Sequence, residues 1–62
     1  MTKYIVKERW EDRTVTYLSA RLWSTTKIER AHKFTVDELS HYWEFIKPRK
    51  SRMPILIQVR EN

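Results

Sequence analysis

Phe34-Thr35-Val36-Asp37-Glu38-Leu39 is the stretch from which the rest of the chain can be read. Thr35 followed three residues later by Glu38 is a capping box. The hydroxyl satisfies one orphan amide of a helix start and the carboxylate reaches back to another. Phe34, just before the cap, can pack on Leu39 or its neighbour as a hydrophobic staple. Beyond it, Leu39, Trp43 and Ile46 recur at i, i+4 and i+7, an apolar stripe flanked by Val36 and Tyr42. Asp37, Ser40, His41, Glu44 and Lys47 take the polar side. Pro48 stops the pattern, because the residue before a proline disfavours helical geometry. The spacing predicts one main helix over residues 36–47.

Working outward towards the N-terminus, residues 3–10 alternate. Tyr4, Val6 and Trp10 fall on one side; Ile5, Lys7 and Arg9 fall on the other. That is the period of a half-buried strand. Residues 14–18 are β-branched and aromatic, a second strand with Val15 and Tyr17 on one face and Thr14, Thr16 and Leu18 on the other. Glu11-Asp12-Arg13 between them predicts a hairpin. The chain has no glycine, so a two-residue primed turn is disfavoured and a longer loop is expected. Leu22 and Trp23 read as a short extended piece, and Ser24-Thr25-Thr26 offer caps for a short helix over residues 27–32. Towards the C-terminus, Arg49-Lys50-Ser51-Arg52-Met53 reads as a loop. Pro54 then opens a last strand in which Ile55, Ile57 and Val59 alternate with Leu56, Gln58 and Arg60.

The expected fold is a single α+β domain spanning residues 1–62. It has two layers: a three-stranded antiparallel sheet with the main helix on one face. The last strand pairs with the first, which lies in the centre. The expected core is Tyr4, Val6, Val15, Tyr17, Trp23, Phe34, Leu39, Trp43, Ile46, Ile55, Ile57 and Val59.

Composition narrows the function. A chain of 62 residues supports one small core, and eight aromatic residues supply much of its area. There is no cysteine, hence no disulfide or thiolate–zinc site. No apolar run approaches the roughly 18 residues of a membrane span, and the N-terminal residues lack a signal-peptide pattern. A soluble, cytoplasmic protein is expected. Absence of glycine excludes the phosphate loop and the dinucleotide fingerprint. Ser19, Ser24, Ser40 and Ser51 sit in no nucleophile motif. Asp37, His41 and Glu44 share a helical spacing that can face a metal, but so few ligands read first as a solvated polar face. His32 reads as a surface residue at a helix end. No enzyme activity, metal or cofactor is expected.

Two surfaces remain as binding candidates. Lys47, Arg49, Lys50 and Arg52 place four cations in six residues. They form either a solvated loop or a non-specific nucleic-acid contact. The outer sheet face is expected to gather Ile5, Leu18 and Leu56 among Lys7, Arg9 and Arg60, with Trp10 as an anchor at the hairpin end. An apolar centre with a basic rim is the anatomy of a protein interface. The net charge of +5 favours anionic partners. Self-association through this face, or by edge pairing of the second strand, is a further expectation.

The run Leu22-Trp23-Ser24 followed by Ala31-His32-Lys33-Phe34-Thr35-Val36-Asp37-Glu38 resembles a pattern in small uncharacterised phage and prophage proteins. Tyr4-Ile5-Val6 and the closing strand fill its outer parts. The resemblance implies a setting rather than a chemistry: a phage-encoded, non-catalytic module that modulates or inhibits a host protein by docking on it. A nucleic-acid-binding accessory role through the basic loop is the alternative.

Overall fold

The computed structural model describes residues 2–60. The hairpin pairs β1, Thr2–Trp10, with β2, Val15–Leu18, antiparallel; Glu8 lies opposite Thr16 and Lys7 opposite Tyr17. Its loop is the three-residue kind. The Arg13 N–H donates to the Trp10 carbonyl and the Trp10 N–H to the Thr14 carbonyl, each at 2.9 Å. Arg13 takes φ 73°, the left-handed position that glycine ordinarily fills. Asp12 supports the turn by accepting from the Thr14 N–H at 2.9 Å. Hydrogen bonding from Thr14 holds the Asp12 carboxyl below its ordinary value of 3.8.

The same loop is made a second time. The Ser19 N–H donates to Trp23 and the Leu22 N–H to Ser19, and Leu22 has φ 65°. This loop leads into β3, Ser24–Thr25, which pairs with β2. Each left-handed non-glycine residue costs about 1–2 kcal/mol. Leu22 offsets its cost by packing against the core.

A 3-10 turn, Ile28–Arg30, follows β3 where a short helix was expected. The chain then returns to β1: Tyr4 and Phe34 exchange backbone hydrogen bonds at 2.8 and 2.7 Å. The capping box is present in full. The Glu38 N–H donates to Thr35 Oγ1 at 3.1 Å and the Thr35 N–H to Glu38 Oε1 at 2.9 Å. Finally β4, Arg52–Arg60, pairs along β1, giving the sheet order β3-β2-β1-β4. The central position of the first strand and its pairing with the last are as expected.

Several expectations are corrected. The sheet has four strands rather than three. The main helix is two short ones: α1, Val36–His41, and α2, Trp43–Ile46, hinged at Tyr42 with φ −100° and ψ 17°. His41, Tyr42 and Trp43 are consecutive aromatic rings that lose rotamer freedom in a helix, which weakens the helix there. The bend buries Ile46 with Leu39 and leaves Trp43 exposed. Trp23, also expected inside, is 69% exposed. The last strand begins at Arg52 and runs through Pro54.

The phase of two strands is also reversed. The core is Val6, Leu18, Phe34, Leu39 and Ile46, flanked by Tyr4, Leu22 and Tyr42. The helices therefore cover the face of Tyr4, Val6, Glu8 and Trp10. Register puts Thr16 and Leu18 of β2 on that face, with Arg52, Pro54, Leu56 and Gln58 of β4. Val15, Tyr17, Ile55, Ile57 and Val59, expected in the core, occupy the opposite face. Leu18 and Leu56, expected outside with Ile5, lie on the helix side. The period of two shows that faces alternate; it does not say which face is covered.

Candidate functional site

The hairpin end of the covered face holds a buried polar network. Glu8 is 1% exposed. Its Oε1 accepts from Thr16 Oγ1 at 3.1 Å and Ser24 Oγ at 2.8 Å. Its Oε2 accepts from Arg52 Nη1 at 2.9 Å. Trp10 Nε1 donates to Thr16 Oγ1 at 2.7 Å. The other Arg52 nitrogen, Nη2, donates to the carbonyls of Phe45 and Lys47 at the end of α2. A cation there satisfies orphan carbonyls and suits the helix dipole. One carboxylate thus joins all four strands, and its arginine ties the second helix to them. Sequence reasoning missed Glu8. Its signal was the single charged gap in the series Tyr4, Val6, Glu8, Trp10.

This network redistributes the predicted basic cluster. Arg52 is committed to Glu8. Lys47 Nζ meets Glu44 Oε2 at 2.9 Å. That contact, with its charge, holds the Glu44 carboxyl below its ordinary value. Arg49 Nη2 donates to the Glu44 carbonyl at 2.8 Å. Among the described residues, Lys50 alone of the four has no partner. Arg49 and Lys50 instead stand with Arg9, Trp10 and Met53 around an open hollow of about 290 Å³. A second hollow of about 390 Å³ lies beside it, lined by Trp10, Thr14 and Thr16 among others. Trp10 is half-buried between them, its indole N–H already used.

The uncovered face, called the bare face below, gathers the predicted Ile5, Lys7 and Arg9. Register sets Ile57 opposite Ile5, Ile55 opposite Lys7 and Met53 opposite Arg9. Tyr17 and Val15 flank Lys7 and Arg9 on the other side. Lys3 and Val59 end the surface. Ile5 is buried, while Val15, Met53 and Ile55 are exposed. No strand residue on this face is acidic, and Lys7 and Arg9 have no ion-pair partner among the described residues. Arg60, expected with this group, lies on the helix-side phase of β4.

His41 stacks edge-on against Tyr42, ring centroids 4.8 Å apart, and the hinge at Tyr42 separates it from Glu44. Among the described residues no group of three or more His, Cys, Asp or Glu side chains stands together to hold a metal. His32 Nε2 meets Glu38 Oε2 at 3.0 Å, so its neighbour is the capping box. Among the described residues, no helix is long and apolar enough to cross a membrane. No family model matches the chain, and no curated protein or solved structure is found to be similar to it.

Proposed function

We propose that this chain is a non-catalytic protein-binding module that docks through its bare sheet face. The observation that carries the reading is the composition of that face: a row of Met53, Ile55, Ile57 and Val59 beside Ile5 and Tyr17, with Lys7 and Arg9 free of ion-pair partners among the described residues. The aliphatic row supplies area that gains by leaving water. The two cations supply orientation and faster encounter with an acidic rim. The partner is a protein whose surface has an apolar centre and carboxylates at its margin. The resemblance to small phage proteins supports a host protein in that role and a cytoplasmic setting. The nucleic-acid reading has less support, because Arg52 and Lys47 are engaged within the molecule.

The test uses immobilised chain and host lysate. Ile55→Asp alters the bare face; Val36→Asp alters an exposed position on the first helix. A protein retained by the wild type and by Val36→Asp, but lost with Ile55→Asp, is the expected result. Equal retention by all three defeats the reading. A duplex-DNA titration addresses the rival: four engaged cations require a slope of log K on log salt of roughly −3 to −4.

A further inference from the structure

The free edge of β4 goes beyond the bare-face reading. Tyr4 exchanges its backbone bonds with Phe34, and the Trp10 N–H donates to Thr14. Both lie on the side of β1 away from β4. The even residues of β1 therefore face that side, and the odd ones, Lys3 to Arg9, serve the ladder with β4. On β4 the odd residues Met53, Ile55, Ile57 and Val59 answer them. The N–H and C=O groups of Arg52, Pro54, Leu56, Gln58 and Arg60 then point outward. Arg52 agrees: its N–H and C=O bond outward to Arg49. Pro54 lacks its N–H where no neighbour needs it, the usual place for proline in a sheet. Among the described residues nothing pairs with the backbone of Leu56 or Gln58. Such an edge is a template for another strand.

We infer that the strand that fits this edge is β4 of a second copy, antiparallel, with Ile57 at the two-fold axis. In that register Leu56 and Gln58 exchange backbone hydrogen bonds with Gln58 and Leu56 of the second copy. The Arg60 N–H reaches the Pro54 carbonyl. On the bare face, Ile57 meets Ile57 and Ile55 meets Val59, all β-branched pairs that suit a sheet. Sliding by one pair to set Leu56 opposite Leu56 would place Arg52 opposite Arg60, a like-charge pair. The charge pattern thus opposes that slip. It also favours edge over face. Stacking two bare faces about 10 Å apart would bury Lys7 and Arg9 against their own copies. Edge pairing leaves at least three strand spacings, about 14 Å, between the two Lys7 residues, which are also offset along the strands. That exceeds the Debye length of about 8 Å at physiological salt.

Seven residues of edge cover less than the roughly 800 Å² per partner of a standard interface. The dimer is therefore weak and concentration-dependent. With +5 on each copy, salt strengthens it, whereas salt weakens docking on an acidic partner.

The chain has no cysteine, so single cysteines report the register. At the axis the Cα atoms are about 4.5 Å apart, within disulfide reach. Ile57→Cys should form an oxidised dimer at least about tenfold faster than Ile55→Cys, which faces Val59. Sedimentation equilibrium of the wild type should show a monomer–dimer equilibrium that moves towards dimer at about 0.5 M salt. Gln58→Pro removes an outward donor without touching the β1 ladder and should abolish the dimer while retaining the circular-dichroism spectrum. A wild type that stays monomeric at high salt overturns the inference. So does Ile57→Cys no faster than Ile55→Cys, or a dimer that survives in folded Gln58→Pro.

Discussion

The two faces of the sheet differ in a way that composition alone would invert. The covered face of β4 carries Arg52, Pro54, Leu56 and Gln58, and the bare face carries Met53, Ile55, Ile57 and Val59. At the Arg52 end the contrast is clear, with Met53 and Ile55 exposed and Arg52 and Pro54 half-buried; further along, Leu56 and Gln58 are themselves exposed while Ile57 and Val59 are half-buried. The covered face also buries Glu8, with Thr16 and Ser24 as its partners. A strand slipped by one residue would exchange the two sets. What opposes the slip is the pairing of Arg52 with Glu8 and with the carbonyls ending α2, which lets only one phase of β4 fit. The lesson is that a specific polar contact sets the phase here, and the aliphatic row is left available.

The largest break in this comparison is at Glu8. Removing one partner of a buried pair costs about 3–5 kcal/mol, because the other charge stays buried alone. Glu8→Leu should therefore lose most or all of the folded population in urea unfolding; domains of this size hold only a few kcal/mol. Adding Arg52→Met should recover much of the loss. A Glu8→Leu chain that unfolds like the wild type would refute the role of the pair in holding the phase.

Next comes the contrast between matched aliphatics. Leu18→Ala, in the core, should cost about 2–5 kcal/mol. Ile55→Ala, on the bare face and exposed, should cost under about 1 kcal/mol. Comparable midpoint shifts in denaturant would mean that the bare face is covered after all.

Smaller effects concern the helix that covers the core. Thr35→Ala removes the acceptor for the Glu38 N–H and should cost about 0.5–2 kcal/mol by thermal unfolding. Glu38 gives the matching pH dependence. The Thr35 N–H, and then His32, hold its carboxyl below the ordinary value of 4.5. A depressed folded value contributes stability that is present above the ordinary value and is lost as pH falls through the folded one. The melting-temperature gap between wild type and Glu38→Gln should therefore shrink below pH 4.5. A gap that is constant with pH would remove Glu38 as an ionised cap.

Local physics accounts for what the sequence determined. The capping box at Thr35 and Glu38 and the stop before Pro48 each rest on contacts between near neighbours, and both are present as read. The alternation in β1 and the hairpin after it were legible for the same reason. Absence of glycine pointed beyond a two-residue turn, and Arg13 fills a three-residue one. On the candidate surface, Ile5, Lys7 and Arg9 were placed together, because one strand's own period fixes their common face. The tertiary structure decided the rest. Which face of β2 and β4 turns inward depends on register with β1, and the Glu8–Arg52 pair that pins β4 joins residues 44 apart. The apolar stripe of Leu39, Trp43 and Ile46 predicts one helix, but the hinge at Tyr42 follows from seating Ile46 beside Leu39 and the end of α2 over Arg52. The Glu8–Arg52 contact is long-range, and no window of local sequence contains both partners; the bonds from Arg52 to the end of α2 span only seven and five residues, but they depend on Arg52 being held by Glu8.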